Sequence, residues 1–76
     1  MECYMKYLRD LREDNDKTQQ EIANVLNISQ TMYARYERGA NELPMRHFIT
    51  LCKYYDVSAD VVLGFVPDKK RMIAQK

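Results

Sequence analysis

The fold of this 76-residue chain is decided by residues 18–39, TQQEIANVLNISQTMYARYERG. Thr18 is followed three residues later by Glu21, a capping box in which the two side chains bind free backbone N–H groups at a helix start. The apolar residues that follow recur at helical spacing and form one stripe: Ile22, Ala23 and Leu26. The pattern predicts a short helix that begins just after Thr18.

A tight turn and a second helix follow that stripe. Asn27 interrupts the apolar pattern, and asparagine enters the left-handed backbone region more cheaply than most residues. Ile28 can fill the corner, and Ser29 is an N-cap candidate for the second helix. Tyr33 and Tyr36 continue the inward face. The remaining polar and small residues of this helix face solvent or a partner: Gln30, Thr31, Ala34, Arg35 and Arg38.

This pattern closely resembles the helix-turn-helix of lambda repressor and Cro-like proteins, the XRE family. Further matching features are Leu11-Arg12, Thr18-Gln19, Ser29-Gln30 and the segment from Tyr36 to Gly39. The resemblance extends over about residues 8–64, and it implies an all-α fold of five helices with the helix-turn-helix at helices 2 and 3. The chain departs from the family at Lys17, Asn27 and Tyr33, where relatives more often carry an apolar residue, glycine and an aliphatic residue.

The flanking segments predict the other three helices. The first is expected over residues 3–14, the fourth from Pro44 to about residue 55, and the fifth from its cap Ser58 to Gly64. The expected inward face of the fourth helix is Met45, Phe48, Ile49, Cys52 and Tyr55. We therefore expect one DNA-binding domain over residues 1–64 and a short tail, residues 65–76. The tail is either a frayed basic segment or a short helix that contacts DNA or a second subunit.

Composition excludes several classes of protein. No apolar run approaches the roughly 20 residues that cross a bilayer, and the N-terminal residues lack the apolar core of a signal peptide. We therefore expect a cytoplasmic protein without a membrane partner. The formal net charge is only +1, which predicts modest non-specific affinity for nucleic acid.

Candidates for catalysis or metal binding are few. Cys3 and Cys52 are too far apart for a metal knuckle, and two small hydrophobic side chains are a better interpretation than a disulfide. His47, the one histidine, has no companion ligands at helical spacing and is expected on a helix surface. Neither a glycine-rich phosphate loop nor a nucleophile with a plausible partner set is present. The sequence predicts neither an enzyme nor a bound metal or cofactor.

The polar face of the third helix carries the functional hypothesis. Residues near the start of a recognition helix reach base edges in the major groove of DNA. The resemblance implies that the base-reading positions are Gln30, Thr31 and Arg35, with Ala34 leaving room or touching a methyl group. A solvated polar face is the alternative interpretation, because any surface helix has one.

The resemblance also implies supporting roles for residues around that face. It places Gln19 where relatives bind phosphate and buttress the first reader, and Arg38 and Asn41 where they grip the sugar-phosphate backbone. It further implies an ion pair between Arg12 and Glu37 that ties the first helix to the third, a structural role with no base reading.

The function expected from the sequence is sequence-specific binding of double-stranded DNA by a homodimer. We expect such a protein to regulate transcription, and we interpret it as a repressor that binds a palindromic operator. The alternative is a protein-interaction module such as the antitoxin of a toxin–antitoxin pair, with a small toxin as partner. The apolar residues Phe65 and Val66, just beyond the predicted domain, and the weak net charge favour that alternative.

Overall fold

Five helices form the part of the chain that the computed structural model describes, residues 4–66. They are α1 (Tyr4–Asp14), α2 (Gln19–Leu26), α3 (Gln30–Glu37), α4 (Met45–Tyr55) and α5 (Ala59–Val62). No strand occurs within residues 4–66, so the predicted all-α architecture is confirmed. Cys3 and residues 67–76 of the predicted tail lie outside the described residues.

The corner between α2 and α3 is built by side-chain caps at both helix starts. Thr18 and Glu21 form the predicted capping box, because Thr18 Oγ1 accepts from the Glu21 N–H and Glu21 Oε1 accepts from the Thr18 N–H at 2.8 Å. Asn27 ends α2 at φ 60° and ψ 43°, in the left-handed region. Ser29 Oγ then accepts from the Met32 N–H and starts α3 in a new direction. The predicted turn is therefore confirmed in its local chemistry.

The core lies where the helices cross. α2 packs on α3 and α4, while α1 packs on α3 and α5. Tyr33, Leu8, Ile22 and Leu51 are the largest side chains with no appreciable exposure. Ala23 is also fully buried, and its small side chain lets α3 approach α2 closely. Three of these residues come from the opening stretch, so that stretch supplies much of the core as well as the corner.

The predicted inward face of α4 is partly wrong. Met45 is 66% exposed and Ile49 46% exposed, whereas His47 and Leu51 are buried beside Phe48 and Cys52. Because α4 has apolar residues on two sides, helical spacing alone fits either rotation, and packing against α2 and α5 selects the side that carries Leu51. His47 is therefore a core residue whose ring lies 6.2 Å from that of Tyr36, and the expectation of a helix-surface position is wrong.

The end of α5 and the hydroxyl of Tyr33 complete the description of the core. α5 ends at Val62, with Leu63 as its cap, and Gly64 follows at φ +86°. The Tyr33 hydroxyl is buried without a hydrogen bond of normal geometry. Burial, followed by the nearby Glu37 carboxylate, raises the pKa of Tyr33 far above its usual value.

Candidate nucleic-acid interface

The outward face of α3 remains uncovered by the rest of the described chain. Thr31, Arg35 and Arg38 are exposed, and Gln30 and Ala34 are half-buried at the edge of the helix. The Ser29 cap fixes the first turn, so Gln30 and Thr31 project from the N-terminal end of the helix. A short helix that presents polar side chains from its first turn has the geometry that a major groove admits.

Gln30 is held from behind by α2. Its Nε2 atom donates to Gln19 Oε1 at 2.7 Å, and Gln19 Nε2 donates in turn to Glu37 Oε1 at 2.9 Å. Gln19, at the start of α2, therefore links Gln30 at the start of α3 to Glu37 at its end. This contact fixes the Gln30 side chain before any ligand arrives, which lowers the entropy cost of a later contact.

A nearly buried ion pair ties α1 to α3. Arg12 Nε donates to Glu37 Oε2 at 2.6 Å, and Arg12 Nη2 donates to Glu37 Oε1 at 3.2 Å, so the fork is bidentate. Arg12 Nη1 also donates to the Lys17 carbonyl at 2.8 Å, which holds the loop before α2. The two side chains are only 12% and 5% exposed, so solvent screens the pair weakly.

The charge state of Glu37 follows from these contacts. Burial alone would raise the pKa of Glu37, but hydrogen bonds from Arg12 and Gln19 outweigh it and lower the pKa below its usual value. The same hydrogen bond raises the pKa of Arg12. Glu37 is thus a carboxylate at neutral pH, and an ionised carboxylate can only accept hydrogen bonds.

These contacts predict a loss of stability in acid. Because the pKa of Glu37 is lower in the folded than in the unfolded chain, its contribution is fully present above the unfolded value of about 4.3 and is lost as pH falls through the folded value. We expect the urea midpoint of the wild-type protein to fall more steeply below pH 4 than that of Glu37→Gln. Equal slopes in urea titrations monitored by circular dichroism would contradict this assignment.

The two other residues expected at the DNA backbone lie at the far end of α3. Arg38 caps the helix with its side chain exposed. Asn41 is half-buried; its N–H donates to the Arg35 carbonyl at 3.3 Å and its side-chain amide approaches Met32 Sδ at 3.8 Å. Both residues border the exposed face of α3, at the opposite end from Gln30.

Sequence reasoning missed Arg9. An open groove between α1 and α3 brings it together with residues named above, and its lining is Arg9, Arg12, Glu13, Gln19, Ala34, Glu37 and Arg38. Arg9 is three residues before Arg12 and so lies on the same side of α1, a spacing that could have identified it. Its side chain is 45% exposed, and its Nη2 atom lies 3.9 Å from Asp10 Oδ1, so the Arg9 charge is partly paired beside the candidate interface.

Three further observations concern metal binding, membrane spanning and cysteine reactivity within residues 4–66. No group of three metal-ligating side chains converges there. None of the described helices has the length and apolar character to span a bilayer. Burial raises the pKa of Cys52, a free buried cysteine, which makes it a poor nucleophile.

Comparison with known proteins agrees with this geometry. A family model described as helix-turn-helix matches residues 8–62. The chain is 30% identical over 73 residues to an uncharacterized HTH-type transcriptional regulator, YobD, of Bacillus subtilis, covering 96% of this chain and 65% of that protein. It is also 30% identical over 69 residues to the cryptic phage CTXphi transcriptional repressor RstR of Vibrio cholerae, covering 91% of this chain and 60% of the repressor.

A third relative belongs to the alternative class of function. The antitoxin PezA of Streptococcus pneumoniae serotype 4 is 30% identical over 59 residues, which is 78% of this chain and 37% of the antitoxin. The chain thus spans less than two thirds of the length of each of these curated relatives. No solved structure gives a significant match. The family model covers most of the chain, including every helix from within α1 to the end of α5, and the chain belongs to the helix-turn-helix family.

Proposed function

We propose that this protein binds double-stranded DNA at specific sequences and regulates transcription, as a repressor and without enzymatic activity. The observation that carries the proposal is the uncovered face of α3, on which Gln30, Thr31 and Arg35 project outward while the opposite side is locked into the core. The similarity to a transcriptional regulator and a transcriptional repressor supports the same function.

In this proposal α3 enters the major groove. Gln30 forms two hydrogen bonds with an adenine edge, Arg35 forms two with a guanine, and the Thr31 methyl group contacts a thymine methyl. Ala34 leaves room for the bases. Gln19, Arg38 and Asn41 contact the sugar-phosphate backbone and set the position of the helix, a role that is independent of sequence.

We further propose that two copies bind together, each filling one half of a palindromic site. The described chain leaves large apolar side chains exposed on and beyond α4: Met45, Ile49, Leu63, Phe65 and Val66. Met45 and Leu63 line one open apolar pocket with Tyr4 and Phe48, so part of this surface is continuous. Burial of this surface by a second copy would also stabilise a domain with a small core, and the half-sites would lie about 34 Å apart.

A charge on this surface should separate the two copies. We expect Met45→Glu to raise the dimer dissociation constant at least about tenfold, because a carboxylate would have to lose its water in the interface. The variant should fold, since an acidic residue is favourable in the first turn of a helix. Sedimentation equilibrium measures the change, and Val25→Glu, at an exposed apolar residue of α2, is the control. An unchanged dimer mass in Met45→Glu would remove α4 from the interface.

The experiment that tests the proposed function is selection of bound sites from a random pool of double-stranded DNA. We expect enrichment of a sequence with dyad symmetry and half-site centres one helical turn apart. Enrichment should disappear in a variant that lacks Gln30 and Arg35, while circular dichroism shows the same helix content. A pool that stays random with the folded wild-type protein would refute the proposal.

A second candidate function is the antitoxin role, which the match to PezA and the exposed apolar surface favour. The partner would be a small toxin, and DNA binding could coexist with it. Coexpression with the product of an adjacent gene tests this idea. A stable stoichiometric complex that neutralises a toxic phenotype would support it. Two coexpressed proteins that do not associate would refute it for that gene pair.

A further inference from the structure

Three side chains form a directional chain of hydrogen bonds behind the candidate DNA-reading face. We refer to Glu37, Gln19 and Gln30 together as the amide relay. Its two internal bonds run from Gln19 Nε2 to Glu37 Oε1 at 2.9 Å and from Gln30 Nε2 to Gln19 Oε1 at 2.7 Å. Each glutamine amide has a donor end and an acceptor end, so the relay has a polarity.

Glu37 fixes the first step of that polarity. It is an ionised carboxylate held by Arg12, and it has no hydrogen to donate. Gln19 can therefore contact Glu37 favourably only with its NH2 end. The carbonyl oxygen of Gln19 must then face away from Glu37, toward Gln30.

The second step follows from the first. An oxygen at this position accepts only, so Gln30 must turn its NH2 group toward Gln19. One N–H of Gln30 is used in that bond. What remains for a base is one N–H and the carbonyl oxygen, a donor and an acceptor side by side.

This donor and acceptor pair on Gln30 is complementary to the major-groove edge of adenine. In the major groove adenine presents N7 as an acceptor and the N6 amino group as a donor, whereas guanine presents two acceptors, N7 and O6. The Gln30 oxygen would accept from adenine N6 but would face guanine O6 with a repulsive contact. A reversed amide would place its NH2 group opposite the adenine N6 amino group, donor against donor, and within reach of the guanine O6 acceptor.

We infer that Glu37 is a positioning residue for specificity: acting through Gln19, it fixes the amide of Gln30 so that Gln30 selects adenine over guanine. The inference rests on the proposed DNA-binding function and goes beyond the structural role expected for the Arg12–Glu37 pair. Glu37 itself touches no base. It acts because a carboxylate cannot donate, and its shape alone would not achieve the same result.

Glu37→Gln tests the inference with almost no change of shape. Arg12 Nε lies 2.6 Å from Oε2, whereas Arg12 Nη2 lies 3.2 Å from Oε1. We therefore expect the new NH2 group to replace Oε1, at the expense of the longer Nη2 contact, and to face Gln19. Gln19 then turns its oxygen toward residue 37 and its NH2 group toward Gln30. The relay reverses, and the A-to-G affinity ratio at the base read by Gln30 should fall about tenfold or more, toward guanine.

The experiment uses the full chain and duplexes that differ at one base pair. Selection with the wild-type protein provides the site, and Gln30→Ala identifies the base pair whose preference depends on Gln30. Fluorescence anisotropy then gives the affinity for adenine and for guanine at that position. The variants are Glu37→Gln and Gln19→Ala, the second of which removes the relay but keeps the ion pair with Arg12.

A stability-matched control separates positioning from folding. Val62→Ala shortens a buried side chain of α5, away from the relay, and should lower stability but leave the A-to-G ratio unchanged. Circular dichroism verifies that each variant is folded at the assay temperature. Gln19→Ala leaves the Arg12–Glu37 ion pair intact, so we expect this variant to fold and to test the relay even if Glu37→Gln does not fold.

The outcomes are distinct. A shift toward guanine in Glu37→Gln, with a loss of preference in Gln19→Ala, supports the inference. A folded Gln19→Ala or Glu37→Gln variant that keeps the wild-type ratio overturns it and leaves the proposed function standing. A wild-type preference for guanine at the position read by Gln30 also overturns it. Failure of the folded wild-type protein to select any sequence overturns the proposed function and this inference together.

Discussion

Arg12→Met is expected to lower the free energy of unfolding by about 3–5 kcal/mol, because it leaves a buried carboxylate without its partner. Glu37 is 5% exposed and receives two hydrogen bonds from Arg12, and the Lys17 carbonyl loses its donor as well. A domain of this size has only a few kcal/mol of stability in total. We therefore expect most of the Arg12→Met protein to be unfolded at 37 °C.

Urea unfolding monitored by circular dichroism measures the change, and a double-mutant cycle identifies its cause. Arg12→Met with Glu37→Met removes both charges, and the pair of methionines should be more stable than Arg12→Met alone because no buried charge is left unpaired. Arg9→Met is the matched control, since its side chain is 45% exposed on the same helix, and it should change stability by less than about 0.5 kcal/mol. A loss below about 1 kcal/mol in Arg12→Met would show that water reaches Glu37 and replaces the arginine.

Local chemistry explains why the corner was predictable from the sequence. The capping box of Thr18 and Glu21, the left-handed Asn27 and the Ser29 cap each depend on residues within a few positions of one another. A pattern of that kind carries its own physical cause, because side chains satisfy specific free N–H groups. The helix-turn-helix could therefore be predicted before any tertiary contact was known.

The rotation of α4 could not be predicted in the same way. Both sides of α4 are partly apolar. One side carries Met45 and Ile49, and the other carries His47 and Leu51. The choice between them depends on the shapes of α2 and α5, which lie far away in the sequence. A small domain also exposes many apolar atoms, so an apolar residue is weak evidence for burial.

Four side chains that the sequence analysis named lie in one network, but the directions of their hydrogen bonds were not predictable. Resemblance to the family selected Gln19, Gln30, Arg12 and Glu37, and the structure brings these four side chains into one network. The orientation of each amide group depends on side-chain contacts shorter than 3 Å between residues that are 11 to 25 positions apart in the sequence. Spacing along a helix contains no information of that kind, so the polarity of Gln30 emerges only from coordinates.

Loss of Arg35 should have the largest effect on DNA selectivity. Its side chain is exposed, and that side chain forms no hydrogen bond or ion pair within the described residues. In the proposed complex it forms two hydrogen bonds with guanine in each half-site, worth about 1–3 kcal/mol of discrimination per contact. A dimer loses the contact twice, so Arg35→Ala should reduce operator preference by about 2–6 kcal/mol.

The fold should survive this substitution. Alanine is the best helix former, and the contribution of Arg35 to the end of α3 comes from its carbonyl, which accepts from the N–H groups of Ala40 and Asn41 at 2.9 and 3.3 Å. Arg38→Ala is the control for charge alone, because a backbone contact carries no sequence information. It should weaken binding to operator and random duplexes alike and reduce the salt slope by about one unit per subunit. Competition gel shifts with operator and scrambled duplexes measure both variants, and an Arg35→Ala protein that still prefers the operator as strongly as wild type would remove Arg35 from the base-reading face.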